Sequence, residues 1–266
     1  MSSMQRAAPL ILLASTALFS SPALAQDGRE WDVAKAQQMQ SHDMSVHQSI
    51  DRWRQLSASS QLDFGTYSGF LMTYPGYPLE ERIRGYAEQA LQRYPADANS
   101  TVAFFTRFPP LSNEAAGRYA VALSTLQRPD AAQKAVAAWR GGSLAADDEA
   151  RLLSLYGARF SAADHDARMD ELLWQGQTAQ AERQISFVSP ANRPLFMERL
   201  SILQGSAPGS MGLTLTPQMN ADPGYVYARA VQARKSGNLP AEIALLANRP
   251  PLAKPVPEPE KWVREL

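Results

Sequence analysis

The sequence contains no cysteine among its 266 residues and only three histidines. The lack of cysteine excludes disulfides, thiolate nucleophiles and cysteine-ligated zinc or iron–sulfur sites. Positive and negative side chains balance at 26 each, so the chain has no basic field of the kind that binds phosphate backbones. Glycine-rich phosphate loops of the GxGxxG or GxxxxGK[ST] type are also missing. These absences argue against nucleotide, nucleic-acid and thiol chemistry.

The first 25 residues have the pattern of a cleavable secretion signal. Arg6 gives a positive start, residues 7–19 are mostly apolar, and Ala23 and Ala25 flank one position as signal peptidase requires. A buried core helix would not explain the positive start and the small-residue end together. The apolar run is about 13 residues long, whereas a membrane span needs about 20. We expect residues 1–25 to be a signal peptide, with a periplasmic mature chain that begins at Gln26 and has no membrane segment.

The rest of the chain predicts an all-α fold. Strand patterns and hairpin turns are nearly absent. Apolar residues instead recur at helical spacing, as Ile83, Ala87 and Leu91 do on one face of residues 79–94. Glu88 is among the charged residues assigned to the opposite, solvent-facing side of this helix.

Prolines and glycines divide the chain into short helices. The prolines that fall between periodic segments, where a missing N–H does little harm, are Pro75, Pro78, Pro95, Pro109, Pro110 and Pro129. Ser112 is a plausible N-cap, and Ser161 with Asp164 forms a capping-box pattern. Gly176, Gly205 and Gly237 each follow an apolar stretch, at intervals of about 30 residues, as left-handed residues after a helix end do.

Helical hairpins of about 30 residues are typical of an α-solenoid. We therefore predict a superhelical, TPR-like repeat domain over residues 26–249; the alternative is an irregular helical bundle with incidental glycine stops. Residues 206–223 are small, polar and turn-rich, and predict a loop that interrupts the repeats. Residues 250–259 carry five prolines, so residues 250–266 are expected to be a proline-rich linker and the start of a further helix.

The histidines do not form a recognisable reactive group. His42 and His47 have the wrong spacing for an HExxH zinc site, which favours a position on the surface. His165 falls in the first turn of a helix and is expected to be exposed. A triad of Ser161, His165 and Asp166 can be imagined, but neighbouring residues diverge on a helix and no GxSxG turn is present.

Acidic and aromatic clusters give no stronger indication of chemistry. Adjacent acids on a helix most often form a solvated face, and nearby Lys and Arg would lower their pKa values; they are Glu80, Glu81, Asp147, Asp148, Glu149, Asp170 and Glu171. An aromatic stripe favours a place in the core over a glycan-stacking platform; it comprises Phe64, Tyr67, Phe70, Tyr74 and Tyr77. We therefore assign no catalytic, cofactor-binding or metal-binding residue and expect no cofactor.

Three segments resemble the soluble lytic murein transglycosylases of proteobacteria. Residues 158–176 (ARFSAADHDARMDELLWQG) are similar to a family stretch that reads D-H-x-x-R-x-D-x-L-L-W-x-G after a phenylalanine. Residues 222–230 (DPGYVYARA) resemble the family's D-P-G-x-x-Y-x-R-A, and residues 258–262 (EPEKW) are similar to a P-E-x-W that follows its proline linker. The likeness covers most of the mature chain and is strongest from Ser143 onward.

The resemblance implies a U-shaped superhelix of helical hairpins that acts on peptidoglycan in the periplasm. Family members cleave the MurNAc–GlcNAc bond without water, forming a 1,6-anhydro product. Their catalytic glutamate lies in a Glu-Ser pair of a lysozyme-like C-terminal domain. This sequence has no Glu-Ser pair and no counterpart of the family's G-L-M-Q-x-M-P and A-Y-N-A-G motifs, so no catalytic residue is carried over.

We therefore expect a non-catalytic superhelical module with a part in peptidoglycan binding or turnover. Its partners would be peptidoglycan and either a periplasmic protein or a separate catalytic domain. The alternative is a TPR-like scaffold for protein–protein interaction in the periplasm. An independent enzyme is the third hypothesis, and the lack of a usable group of reactive side chains disfavours it.

Overall fold

The computed structural model describes residues 28–257 and 259–265 of the chain. This described part is all-helical, with 68% helix and no strand, which confirms the predicted all-α class. The signal peptide expected at residues 1–25, and the cleavage before Gln26, lie outside the described residues. The chain divides into two compact units, residues 1–51 and residues 52–266.

The described part of the first unit is helical. Helix α1 spans Gly28–Ala58, of which residues 52–58 belong to the second unit. Side chains such as Val33 and Met39 are exposed in the first unit. His47 is exposed as well, as its predicted surface position requires, and the side chain of His42 lies outside the described part.

The second unit continues with short helices joined by short connections. They are α2 (Phe64–Thr73), α3 (Glu80–Arg93), α4 (Ala98–Arg107), α5 (Asn113–Thr125), α6 (Ala131–Arg140), α7 (Ala146–Tyr156), a 3₁₀ turn (Gly157–Arg159), α8 (Ala162–Gln175), α9 (Thr178–Gln184), α10 (Arg193–Leu203), α11 (Pro217–Asn220), α12 (Pro223–Lys235), α13 (Leu239–Ala247) and α14 (Pro259–Val263). Each of the six prolines expected between helices lies between them.

The predicted helix ends are confirmed. The Ser112 side chain accepts a hydrogen bond from the Ala115 N–H, and Ser161 and Asp164 form the reciprocal capping box of α8. Gly176 follows α8 with a φ of 71°, a conformation that costs a residue with a Cβ and costs glycine nothing. The helices therefore end where the sequence supplies a residue suited to ending them.

The segment expected to be a loop is partly helical. Within residues 206–223, Thr216 caps the short helix α11, and Asp222 accepts a hydrogen bond from the Tyr225 N–H at the start of α12. The proline-rich segment is irregular up to residue 257, and α14 begins at Pro259. Its Ala253 N–H donates to the Ala221 carbonyl at 2.8 Å, so this segment is attached to the helices.

Packing in the second unit is local along the chain. The main helix contacts join α2 to α3, α4 to α5, α5 to α6, α6 to α8, α8 to α10, α10 to α12 and α12 to α13. The buried apolar residues fall into five clusters rather than one core. The largest cluster joins the end of α1 to α2–α5 and is rich in aromatic side chains.

Candidate functional site

His165 is buried, and the expectation that it is exposed is wrong. Only 8% of the residue is accessible. Its ring stacks on Phe187 at 5.2 Å and meets Trp139 edge-on at 5.8 Å, while Gln184 Nε2 lies 3.1 Å from its Nδ1. Burial lowers the pKa of His165, so the ring is held as a neutral packing element between helices.

The imagined triad of Ser161, His165 and Asp166 does not converge. The Ser161 hydroxyl donates to Asp164 at 2.6 Å. The Asp166 carboxylate accepts hydrogen bonds from the Ser189 N–H at 2.8 Å and from the Ser189 hydroxyl at 2.6 Å. Both groups serve helix ends and loops, and neither is directed at the imidazole.

Three of the acids assigned to solvated faces are buried instead. Glu88 accepts hydrogen bonds from the Leu111 N–H and the Ser112 N–H at 2.6 and 3.0 Å, so it fixes the start of α5. Asp148 and Glu149, on the first turn of α7, are 2% and 9% accessible. A pattern of polar residues cannot show that a charged side chain has a buried partner, and this is why the assignment failed.

Asp148 contradicts the expectation that nearby basic residues lower the pKa of every such acid. Its Oδ2 lies 3.1 Å from Arg118 Nε, yet makes no aligned hydrogen bond. Burial raises the pKa of Asp148 to about 6, although the attraction of Arg118 opposes that shift.

The aromatic stripe belongs to the core, as predicted, for its first three members. Phe64, Tyr67 and Phe70 are 6%, 0% and 5% accessible. Tyr74 is exposed to 38%, and its ring packs 5.2 Å from that of Phe70. Tyr77 is half-buried, and its ring lies 5.9 Å from that of Tyr74. The stripe therefore packs α2 against its neighbours and is partly exposed only at its last two members.

The segment 158–176 is built around a buried arginine. Arg168 is fully buried, with its guanidinium carbon 4.0 Å from the centre of the Trp139 ring. Its Nη2 lies 3.3 Å from a Glu149 oxygen. Burial lowers the pKa of Arg168 to about 10, against the attraction of Glu149, so the side chain remains charged at neutral pH. Helices α6, α7 and α8 meet at this arginine.

A second buried arginine joins the two segments that carry the strongest resemblance. Arg199, on α10, pairs with Asp170 of segment 158–176 and lies 3.8 Å from Asp222 of segment 222–230. Lys254 Nζ lies 3.1 Å from both aspartates. Burial acts to raise the pKa of Asp170, but Arg199 and Lys254 outweigh it and the pKa is lowered. The four side chains form one charge cluster between α8, α10, α12 and the proline-rich segment.

The glycine of the D-P-G stretch fits against that cluster. A Cβ added to Gly224 would lie 2.3 Å from the Arg199 guanidinium carbon. The absence of a side chain at this position therefore lets α12 approach the buried arginine. Arg199 also lies near a tryptophan, as Arg168 does, because its guanidinium carbon is 6.0 Å from the centre of the Trp174 ring.

The open clefts of the described residues include two that combine aromatic or aliphatic side chains with charged ones. One, of about 500 Å³, is here called the arginine cleft; it is lined by Arg234, Glu242, Ile243, Leu246, Ala247, Arg249, Arg264 and Glu265. The other, of about 300 Å³, is here called the tyrosine cleft; it is lined by Asp63, Phe64, Gly65, Ser68, Tyr94, Pro95, Ala96, Asp97 and Ser100. Both combine polar side chains with an apolar surface, which is the composition of small-molecule sites.

The tyrosine cleft lies where α2 and α4 begin. Tyr94 is 76% accessible, an unusual exposure for a large aromatic ring beside a cleft. Asp63 and Asp97 accept the N–H groups of Thr66 and Ser100 at 2.9 Å each. These hydrogen bonds lower the pKa values of both aspartates, with the Thr66 and Ser100 side chains as the largest causes. The cleft therefore combines one exposed aromatic ring with two carboxylates.

The comparisons with known proteins found no matching family model, no similar curated protein and no similar solved structure. Within the described residues, no helix is both long enough and apolar enough to cross a membrane. The same part of the chain holds no group of three or more His, Asp or Glu side chains placed to bind a metal ion.

Proposed function

We propose that this chain is a non-catalytic superhelical module, similar to the N-terminal part of a soluble lytic transglycosylase, that binds peptidoglycan in the periplasm. The observation that carries the proposal is the charge cluster around Arg199. It brings together Asp170 and Asp222, the acids of the two segments in which the resemblance is strongest. Both segments thus serve to join helices, as residues of an architectural module would.

The local packing supports a solenoid of helical hairpins within the second unit. The main contacts of each helix are with helices close to it in the chain. The pairing of a buried arginine with a tryptophan ring and a carboxylate occurs at Arg168 and again at Arg199. A structural device that recurs after about 30 residues is the expected mark of a repeat architecture.

The tyrosine cleft is the surface best suited to a glycan strand. An exposed aromatic ring can stack on the apolar face of a sugar, while hydroxyl and carboxylate groups beside it bind the sugar hydroxyls. Tyr94 supplies the ring, and Ser68 and Ser100 line the same cleft. Tyr94 is exposed to 76%, against 38% for Tyr74 at the end of α2, so Tyr94 is the more accessible of these two rings.

Cosedimentation with purified peptidoglycan sacculi tests this proposal. We expect the chain to pellet with sacculi, and Tyr94→Ala to reduce the pelleted fraction several-fold. Leu155→Ala is the matched control, because Leu155 is also exposed, at 42%, but belongs to α7 and not to the cleft. Failure of the parent chain to pellet would overturn peptidoglycan binding.

The absence of catalysis is a separate prediction. A lytic transglycosylase needs a carboxylic acid held over the glycosidic oxygen and protonated near neutral pH. We expect the purified chain to release no 1,6-anhydromuropeptides from sacculi above a buffer control. Release that one Glu or Asp substitution abolishes would contradict the non-catalytic part of the proposal.

A TPR-like protein scaffold is the second candidate function, and α13 supplies the observation that favours it. Leu239 and Ile243 are one helical turn apart and are 54% and 66% accessible, so they form an apolar surface that a partner could cover. Crosslinking in periplasm distinguishes the two functions. A protein adduct lost in Leu239→Ser, from a chain that does not bind sacculi, would favour the scaffold.

A further inference from the structure

The arginine cleft is formed by α12, α13 and the end of the chain around α14. Its volume of about 500 Å³ lies within the range of about 300–1,000 Å³ that is usual for sites of small ligands. A cleft of this size receives the end of a short chain. It is too small to receive a folded partner.

Two of its arginines have no carboxylate partner among the residues described. Arg234 is occupied, because its Nε and Nη2 donate to the two oxygens of Glu265 at 2.8 and 3.0 Å. Arg249 donates to the Leu246 carbonyl at 2.6 Å and lies over the Trp262 ring. Arg264 has no hydrogen bond or ion pair within the described part of the chain. Arg249 and Arg264 are both exposed, so their charges face the cleft and the solvent.

The acids of the cleft do not cancel this positive charge. Glu242 is buried, at 6% accessible, and its carboxyl group hydrogen-bonds with that of Glu265. Burial and the neighbouring Glu265 raise the pKa of Glu242. Even with both carboxyl groups ionised, the cleft holds two carboxylates against three guanidinium groups.

The apolar lining restricts which chemical groups of the ligand can lie next to its negatively charged group. Ile243, Leu246 and Ala247 form one aliphatic surface in the same cleft, and 66% of Ile243 is accessible. A ligand that fits has a carboxylate for the two arginines, since guanidinium binds carboxylate through paired hydrogen bonds. It also has a small alkyl group that can lie on the aliphatic surface of the same cleft.

We propose that the arginine cleft binds the free carboxylate end of a peptidoglycan stem peptide, with the terminal alanine methyl on the aliphatic surface of α13. The inference rests on the proposed function, which supplies the source of the peptide. The chemistry itself rests on the cleft: two guanidinium groups without a carboxylate partner among the described residues, an aliphatic surface and room for a short peptide end. Arg249 and Arg264 are the binding residues.

Isothermal titration of the purified full chain with Nα-acetyl-D-alanyl-D-alanine tests this inference. The same dipeptide as a C-terminal amide, and the L,L dipeptide acid, are the two comparison ligands. We expect the D,D acid to bind at least about tenfold more tightly than its amide, since an ion pair with guanidinium is lost in the amide. Arg264→Gln should weaken binding of the acid by a similar factor.

Arg151→Gln is the matched control, because Arg151 is exposed on α7 and does not line the cleft. Circular dichroism and the unfolding midpoint establish that both variants are folded. Equal affinity for acid and amide, or no effect of Arg264→Gln in a folded variant, would overturn the inference. Binding of the L,L acid alone would overturn the stem peptide as the source and indicate a protein C-terminus.

The sacculus experiment separates this inference from the proposed function. If the chain pellets with sacculi but does not bind the D,D acid, the peptide site is wrong and peptidoglycan binding stands. If the chain binds the D,D acid in the arginine cleft and Tyr94→Ala leaves pelleting unchanged, the tyrosine cleft is wrong and the peptide site stands.

Discussion

Helices α2–α5 and helices α6–α12 are held together by different kinds of side chain. The first region shares one large cluster in which aromatic rings touch in sequence, as Phe64 does with Phe104 and Phe105 with Tyr119. The second region has several smaller apolar clusters, and fully buried arginines lie between its helices. Arg168 and Arg199 are among the largest fully buried side chains of the described chain.

The difference shows two ways of joining short helices in one chain. Aromatic packing is tolerant of small shifts, because dispersion and area burial have no strict direction. A buried ion pair is costly to form and fixes the relative position of its helices, because a displaced partner leaves a charge without compensation. The second region should therefore be the more sensitive to single substitutions of polar residues.

Arg199→Ala is expected to have the largest effect. Removing the guanidinium leaves the aspartates Asp170 and Asp222 with Lys254 as their only cation in this cluster. We expect the free energy of unfolding to fall by about 3–5 kcal/mol, the usual cost of breaking a buried ion pair. Urea denaturation measures this loss, and Arg151→Ala, at an exposed site on α7, should change it by no more than about 0.5 kcal/mol.

If Arg199→Ala lowers the free energy of unfolding by less than about 1 kcal/mol, the difference inferred between the two regions is wrong. The charge cluster would then contribute no more than an exposed pair, and the second region would depend on its apolar clusters alone. Phe104→Ala supplies the reference for the first region, where removal of a buried ring should cost about 3–5 kcal/mol.

Asp148→Asn should stabilise the protein in a way that depends on pH. The pKa of Asp148 is about 6 in the folded protein and about 4 in the unfolded chain. The folded state therefore holds this proton more tightly, and the parent loses stability as the pH rises from 4 to 6. The variant does not undergo this loss, so its advantage should grow over that interval to about 2–3 kcal/mol.

Urea denaturation at several pH values between 4 and 7 measures the advantage of Asp148→Asn. Asp147→Asn is the matched control. Asp147 is the exposed neighbour on the same helix, and its charge is the smallest of the three causes that act on the pKa of Asp148, so this variant's difference from the parent should depend on pH much less. A variant that is less stable than the parent at pH 7 would mean that the pair with Arg118 outweighs the burial of the carboxylate.

Gly224→Ala tests how closely the backbone of α12 approaches the buried Arg199 in the second region. The new methyl group would meet the Arg199 guanidinium at 2.3 Å, so α12 or the arginine must shift, at a cost of about 1–3 kcal/mol. Gly69→Ala, in α2, meets no atom within 4 Å and should gain about 0.5–1 kcal/mol from helix propensity. Thermal unfolding of the two variants should therefore move in opposite directions, and a common direction would contradict the close approach.

Gly176→Val has the smallest expected loss of stability among the test variants, about 1–2 kcal/mol. No atom lies within 4 Å of a Cβ added there, so the cost comes from the positive φ alone. Gly176→Asn should lose less, because asparagine tolerates the left-handed conformation better than valine. An unchanged melting temperature in Gly176→Val would show that this helix end readily takes another conformation.

The sequence was sufficient for the all-α class and for many helix boundaries, since these depend on local chemistry. Ser161 and Asp164 satisfy N–H groups of their own helix, and Gly176 relieves a backbone strain that is also local. Such preferences are visible in a few consecutive residues. The boundary between the two units falls inside α1, and no comparable local sequence pattern marks it.

The buried charges were not predictable from the same patterns. His165, Asp148 and Glu88 were assigned to the surface because helical periodicity separates residues by polarity. It cannot detect a partner on another helix, such as Gln184 for His165. One sequence pattern could have indicated the buried arginines: a tryptophan is followed by an arginine about 25–30 residues later, as Trp139 is by Arg168 and Trp174 is by Arg199. The clefts have no sequence signal, because residues from several helices line each of them.

The five separate apolar clusters imply that the second unit need not open all at once. Each cluster draws on only a few adjacent helices, so the loss of one removes support mainly from its immediate neighbours. Unfolding should therefore proceed stepwise along the chain, one apolar cluster at a time. Trp139 lies in one cluster, and Trp174 and Trp262 lie in another. Tryptophan fluorescence and limited proteolysis would therefore show the clusters unfolding at different denaturant concentrations.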